Sequence, residues 1–272
     1  MLVKPTQVLL GVGIHSGLPA RVQIKPLPPG RQGIFFQREG EELLLHASYN
    51  HVSNTKLLKT ELGNKFQTVE HVMASLFGLN VFHAVVVVGG ESGEVPIMDG
   101  GCMDFCHALR DAEIAPVVPL PPITRITKPQ TVIGPGGAFC QLLPSTRENV
   151  LQIELSVEFT GCTERIQYVH DYGQVNPYFC NQVAPAKTFC MRPEVDKMQA
   201  MGLGLGGTRN NCVVYEDNHQ PSPNLHRAKH KLLDLLGDFA LCGHTRLVGK
   251  IIAHRSGHAL NHQAVAALLT SQ

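Results

Sequence analysis

The residues best suited to chemistry begin late in the chain, in the segment from Arg227 to Cys242. His230, Asp234 and Asp238 follow one another at intervals of four. On a helix turning 100° per residue this spacing stacks the three side chains along one side, where an imidazole and a carboxylate one turn apart can share a metal ion. Arg227 and Lys231 fall on the same side. A solvated polar face produces the same pattern, so the spacing leaves both readings open. Glu70 and His71 stand near the start of an earlier helical stretch. Either Glu70 answers the helix dipole and His71 is exposed, or His71 is a third ligand and Glu70 a base acting on water at an open metal position. His258, flanked by Gly257 and Ala259, sits at a helix start, where the dipole disfavours a protonated imidazole. A neighbouring carboxylate would restore its charge, and Asp238 is a candidate.

These side chains need scaffolding, and hydrophobic periodicity shows where it lies. Ala20 to Lys25 alternates as a strand with one buried face, and Val85 to Val88 is a β-branched run suited to a buried strand. Residues 66 to 78 have helical spacing, with Val69, Val72, Met73, Leu76 and Phe77 on one stripe and Thr68 as the expected N-cap. Phe105 to Ala112 reads as a further helix. The alternation from Leu151 to Phe159 predicts another strand, and helices are expected near 227–242 and 258–269. Within 227–242 the stripe of Leu232, Leu235, Leu236, Phe239 and Ala240 marks the core side. Four prolines between Ala115 and Pro122 resist helix and central strand alike, which places a domain boundary there. Two α+β domains, residues 1–118 and 119–272, each a sheet covered by helices on one face, satisfy this order.

With 43% hydrophobic residues and 17% charged ones, the chain has enough apolar material for real cores. Lysine and arginine total 23 against 22 acidic residues, a balance that argues against a nucleic-acid partner. The first 17 residues make a poor signal peptide, and no stretch approaches the roughly 18 apolar residues of a membrane span. Eight scattered cysteines without a C-x-x-C pair suggest reduced, cytoplasmic thiols used for packing. Gly202 to Gly207 satisfies G-x-G-x-x-G, but it follows a helix-like stretch and precedes a strand-like one. That order is the reverse of a dinucleotide site, so a tight turn is expected.

Six segments taken in order, Gly11–Gly17, Thr68–His71, Glu94–Gly100, Lys187–Phe189, His230–Asp238 and Ser256–Asn261, resemble the UDP-3-O-acyl-N-acetylglucosamine deacetylase family nearly end to end. The resemblance implies zinc-dependent removal of the N-acetyl group from an acylated UDP-sugar, an early step of lipid A synthesis, in a cytoplasmic monomer. Ferrous iron is an alternative metal. His71, His230 and Asp234 would hold the ion, with Glu70 as general base and His258 as general acid oriented by Asp238. Thr188 looks like the oxyanion residue and Lys231 like the substrate-positioning cation. Phe189, Met191 and Leu203 would contact substrate. The implied fold is two similar α+β domains with helices packed between them, each domain bearing an insert, at 37–67 and 191–216. The second insert would form an acyl-chain passage, which Met191, Met198, Met201, Leu203 and Leu205 would suit. The chain departs from the family pattern at Gly101–Cys102, at Cys190 after Phe189, and before His230, where an acidic helix lead-in is replaced by Gln220–Asn224. Rival readings are a zinc amidohydrolase acting on another N-acetyl sugar and a non-catalytic sugar-nucleotide-binding homologue.

Overall fold

The structure, a computed structural model, describes residues 1–55, 58–159, 161–216 and 220–271. The chain begins with β1 (Leu9–Val12), β2 (Pro19–Lys25), β3 (Ile34–Arg38) and β4 (Leu44–His46). Short strands β5 (Val52–Asn54), β6 (Glu61–Leu62) and β7 (Phe66–Gln67) pair among themselves, and then come α1 (Glu70–Gly78), β8 (Ala84–Gly90) and α2 (Met103–Asp111). The chain continues through β9 (Ile123–Arg125), β10 (Gln130–Ile133), β11 (Phe139–Leu143), β12 (Val150–Phe159) and β13 (Cys162–Asp171). It ends with β14 (Thr188–Met191), α3 (Arg192–Ala200), β15 (Cys212–Tyr215), α4 (His226–Phe239), β16 (Arg246–His254) and α5 (His258–Thr270).

The two large sheets share one plan. Their orders are β1-β2-β8-β3-β4 and β10-β11-β16-β12-β13, with the short β9 also paired to β16. In each, the strand formed last enters between the second and third, antiparallel to the second and parallel to the third. A helix precedes that strand and another follows it, so α1 corresponds to α4 and α2 to α5. Each half also carries a small sheet between its fourth strand and the next core helix: β5–β7 before α1, and β14–β15 with α3 before α4. The hydrophobic alternation seen in the sequence follows from this layering. Along β12, residues facing inward are buried while Gln152, Glu154 and Ser156 are half-exposed.

Insert limits differ from the sequence expectation. Residues 37–38 and 44–46 belong to β3 and β4 of the main sheet, and the second small sheet starts at Thr188 rather than 191. Positions 56 and 57 of the first insert lie outside the described residues. The helical stretch expected from 66 begins only at Glu70, because β7 takes Phe66 and Gln67. Thr68 is not its cap. It adopts φ 56° and its hydroxyl donates to Glu94 instead. No helix among the described residues is long and apolar enough to cross a membrane.

Candidate metal centre

The two core helices α1 and α4 pack against each other, and that crossing assembles the site. Both faces of α4 are therefore buried: the leucine stripe, and also His230, Asp234 and Asp238 on what the sequence left as a possible solvated face. The close approach depends on Gly237, where a Cβ would overlap the carbonyl oxygen of Glu70.

The structure brings His71, His230 and Asp234 together, one ligand atom from each lying within 4.8 Å of the others. The donor chemistry fits a divalent cation. His71 Nδ1–H donates to the Gly101 carbonyl and His230 Nδ1–H to that of Ala186, each at 2.9 Å. A carbonyl can only accept, so each Nδ1 carries the proton and each Nε2 keeps its lone pair for a ligand. Burial lowers the pKa of both imidazoles, that of His230 to about 3, so they are neutral at physiological pH. Asp234 Oδ1 lies 3.4 Å from His230 Nε2, while Oδ2 accepts from Lys231 Nζ at 2.9 Å. Although desolvation opposes its charge, His230 and Lys231 outweigh that and keep the carboxyl below its usual pKa.

Beside this triad lies a second group. Glu70 Oε1 is 3.8 Å from His258 Nε2, and His258 Nδ1–H donates to Asp238 Oδ2 at 2.9 Å. Burial raises the Glu70 pKa to about 7, with Asp238 and Asp234 reinforcing burial and His258 opposing it. Burial works against a charged His258, but Asp238 and Glu70 more than compensate and raise its pKa to about 10. At neutral pH the pair thus contains one carboxyl poised to exchange a proton and one imidazole that holds one.

The triad, Glu70 and His258 line one cavity of about 1280 Å³. Thr188, Phe189, Lys231 and Leu203 are also on its wall. Lys231 Nζ stands 5.8 Å from the centre of the Phe189 ring, and that ring meets His230 edge-on. Met198 lines the wall as expected of a passage, whereas Met191, Met201 and Leu205 do not. Met191 ends β14 at the start of α3, where its backbone N–H donates to Glu194, and Met201 and Leu205 are exposed on the turns beyond α3. Those turns are the glycine run: Leu205 and Gly206 donate their N–H groups to the carbonyls of His15 and Ile14, which ties the run to the loop at Gly11–Gly17.

Several participants had escaped the sequence reading. Glu94, fully buried, accepts from the backbone N–H groups of His15 and Ser16, from the Ser16 hydroxyl and from Thr68, and so joins three of the six segments. Its place in Glu94–Gly100 was the available signal. Arg227, expected on the polar side of α4, is fully buried and pairs with Glu164 on β13. Glu164 also accepts from the N–H and hydroxyl of Ser222 and from the N–H of Ala228. This carboxylate therefore answers the start of α4, from 63 residues upstream of Arg227, where no acidic lead-in exists. Thr60, Asn261 and His262 surround Asp238; only Asn261 lay in a segment already singled out.

The family model described as UDP-3-O-acyl N-acetylglycosamine deacetylase matches residues 2–270. Proteins named UDP-3-O-acyl-N-acetylglucosamine deacetylase are among the similar sequences. That of Anaeromyxobacter dehalogenans is 35% identical over 95% of this chain and 83% of its own length. That of Geobacter sp. strain M21 is 33% identical over 95% and 85%. The Nautilia profundicola protein is 28% identical over 99% and 91%.

Proposed function

Since this chain belongs to the UDP-3-O-acyl N-acetylglycosamine deacetylase family, we propose that its buried cluster hydrolyses the N-acetyl group of UDP-3-O-acyl-N-acetylglucosamine, releasing acetate in a step of lipid A synthesis. The observation that carries this reading is the crossing of α1 and α4. It sets a His–His–Asp donor set at one wall of a cavity large enough for an acylated sugar nucleotide, with Glu70 beside it facing His258 at the start of α5.

His71, His230 and Asp234 would hold a divalent ion, zinc by the nature of two imidazoles and a carboxylate, with ferrous iron as the alternative. Such an ion supplies Lewis acidity toward the acetamide carbonyl and the attacking water. Glu70 Oε1 removes the proton from that water as its oxygen bonds to the acetyl carbon. His258 Nε2 delivers a proton to the sugar nitrogen as the C–N bond breaks, leaving free amine and acetate. Asp238 holds the Nδ1–H of His258 and so keeps Nε2 aimed at the departing nitrogen. The Thr188 hydroxyl is assigned to the developing oxyanion, and Lys231 to the polar part of the substrate. Phe189, Met198 and Leu203 offer apolar surface to the acyl chain, where each buried methylene contributes about 0.8 kcal/mol. Met191, off the wall, has no part in this reading. Eight free cysteines support a reducing, cytoplasmic setting, and a hydrogen bond from Met1 to Ala115 closes the first half just before the proposed boundary at 118.

The test is acetate release by metal-loaded protein from UDP-3-O-acyl-N-acetylglucosamine and from UDP-N-acetylglucosamine lacking the acyl chain. We expect efficient turnover only with the acylated compound, abolished by chelation and restored by zinc. Equal turnover of both points to a broader N-acetyl-sugar hydrolase, and binding without acetate release to a non-catalytic homologue; either result overturns the assignment.

A further inference from the structure

Thr60, a buried threonine in the loop just before β6, contacts both halves of the acid–base pair. All three of its polar groups are engaged. Its N–H donates to Glu70 Oε2 at 3.0 Å, its carbonyl accepts from Val69 N–H at 3.3 Å, and its hydroxyl donates to Asp238 Oδ1 at 2.6 Å. The residue is completely inaccessible to solvent. Each contact selects one oxygen of a carboxylate. With Oε2 tied to the Thr60 backbone, the oxygen of Glu70 that faces His258 is Oε1. With Oδ1 held by the Thr60 hydroxyl, Asp238 presents Oδ2 to His258.

The remaining neighbours of Asp238 reinforce this division. Asn261 Nδ2 shares Oδ2 at 2.8 Å, while His262 Nε2 lies 3.1 Å from Oδ1 and 3.1 Å from the Thr60 hydroxyl. Each carboxylate oxygen thereby has two donors, and rotation of the carboxylate would break all four bonds together. Three of these partners, His258, Asn261 and His262, come from α5 of the second half. Among the described residues, Thr60 alone bonds Asp238 from the first half, and it is also bonded to the first turn of α1.

We propose that Thr60 is a positioning residue that locks Glu70 and Asp238 in mutual register, so that base and acid face the same point from helices of different halves. This rests on the deacetylase reading for its effect on turnover, but the hydrogen-bond coupling itself does not depend on that reading. Thr60→Val preserves β-branching and the backbone contacts and replaces the hydroxyl with a methyl group. Losing one donor to a buried carboxylate typically costs about 1–3 kcal/mol, and a looser Asp238 misdirects His258. We expect kcat to fall about tenfold or more, with KM within about twofold, metal content unchanged and a folded protein. Thr60→Ser should restore kcat. Should the valine variant not fold, Thr60→Ala removes the same hydroxyl without an added methyl contact and is held to the same expectation.

Proton NMR provides a readout independent of activity. The low-field Nδ1–H resonance of His258, shared with Asp238, should shift in Thr60→Val and return in Thr60→Ser. A threonine that merely fills space would lower the melting temperature and leave both kcat and this resonance unmoved. That outcome overturns the inference. If the wild-type protein releases no acetate, the deacetylase assignment fails separately, and the resonance still decides whether Thr60 couples the two carboxylates.

Discussion

The two small sheets occupy the same slot in their respective halves, between the fourth strand of a large sheet and the helix that carries candidate metal ligands. Their chemistry nevertheless diverges. The first, β5–β7, is tucked against the helix crossing and sends Thr60 into the polar network around Glu70 and Asp238. The second, β14 and β15 with α3, stands further out. Its helix has no buried residue, and the Arg192–Glu216 pair that spans the strand ends is well exposed. It contributes wall to the cavity, from Phe189 and Val195 to Met198 and Leu203. One insert thus holds Glu70 and Asp238 from behind, while the other faces the cavity with Thr188, Phe189 and Leu203. A duplicated topology can divide labour in this way because burial decides what a contact is worth. Polar bonds around Asp238 act in a dry environment, whereas an exposed ion pair is screened.

This division should appear as a split between kcat and KM. The largest effect belongs to the crossing itself. Glu70→Gln keeps an acceptor for the Thr60 N–H but cannot take a proton, so kcat should fall about 100- to 10,000-fold with metal content unchanged; steady-state assays and metal analysis together check this, and near-normal turnover would move the base elsewhere. An intermediate effect is expected on the second insert. Met198→Ala should raise KM for the acylated substrate by about three- to tenfold, since it removes apolar wall worth on the order of 1 kcal/mol, and leave kcat within about twofold. A drop confined to kcat would mean that Met198 shapes the reacting groups rather than the wall for the acyl chain. The smallest effect is reserved for Glu216→Ala, which should change unfolding free energy by less than about 1 kcal/mol in a denaturant titration. A larger loss would show that the exposed pair braces β14 against β15.

Local pattern carried much of the scaffold. The alternation at Ala20–Lys25 and Leu151–Phe159 and the helices expected at 105–112, 227–242 and 258–269, found at 103–111, 226–239 and 258–270, could be read because one strand face or one helix side must be apolar to be buried. Backbone choices made by partners far away could not. Thr68 looks like an N-cap, yet Glu94 takes its hydroxyl and the helix starts two residues later. Arg227 looks like an exposed cation, yet Glu164 draws it inside and the Phe159 ring lies 3.9 Å from its guanidinium.

Within the site, the sequence alone determined the alignment of His230, Asp234 and Asp238, because residues four apart on one helix are neighbours whatever else the chain does. It also offered Glu70–His71 and His258 as groups in need of partners. Only the tertiary structure decided that these elements meet. The meeting requires Gly237 to let the backbone of Glu70 approach α4, carbonyls of Gly101 and Ala186 to set the imidazole tautomers, and Thr60 to bridge helices from different halves. None of these contacts has a sequence period, since each joins residues 10 to 178 positions apart through a fold that must form before the pairs exist.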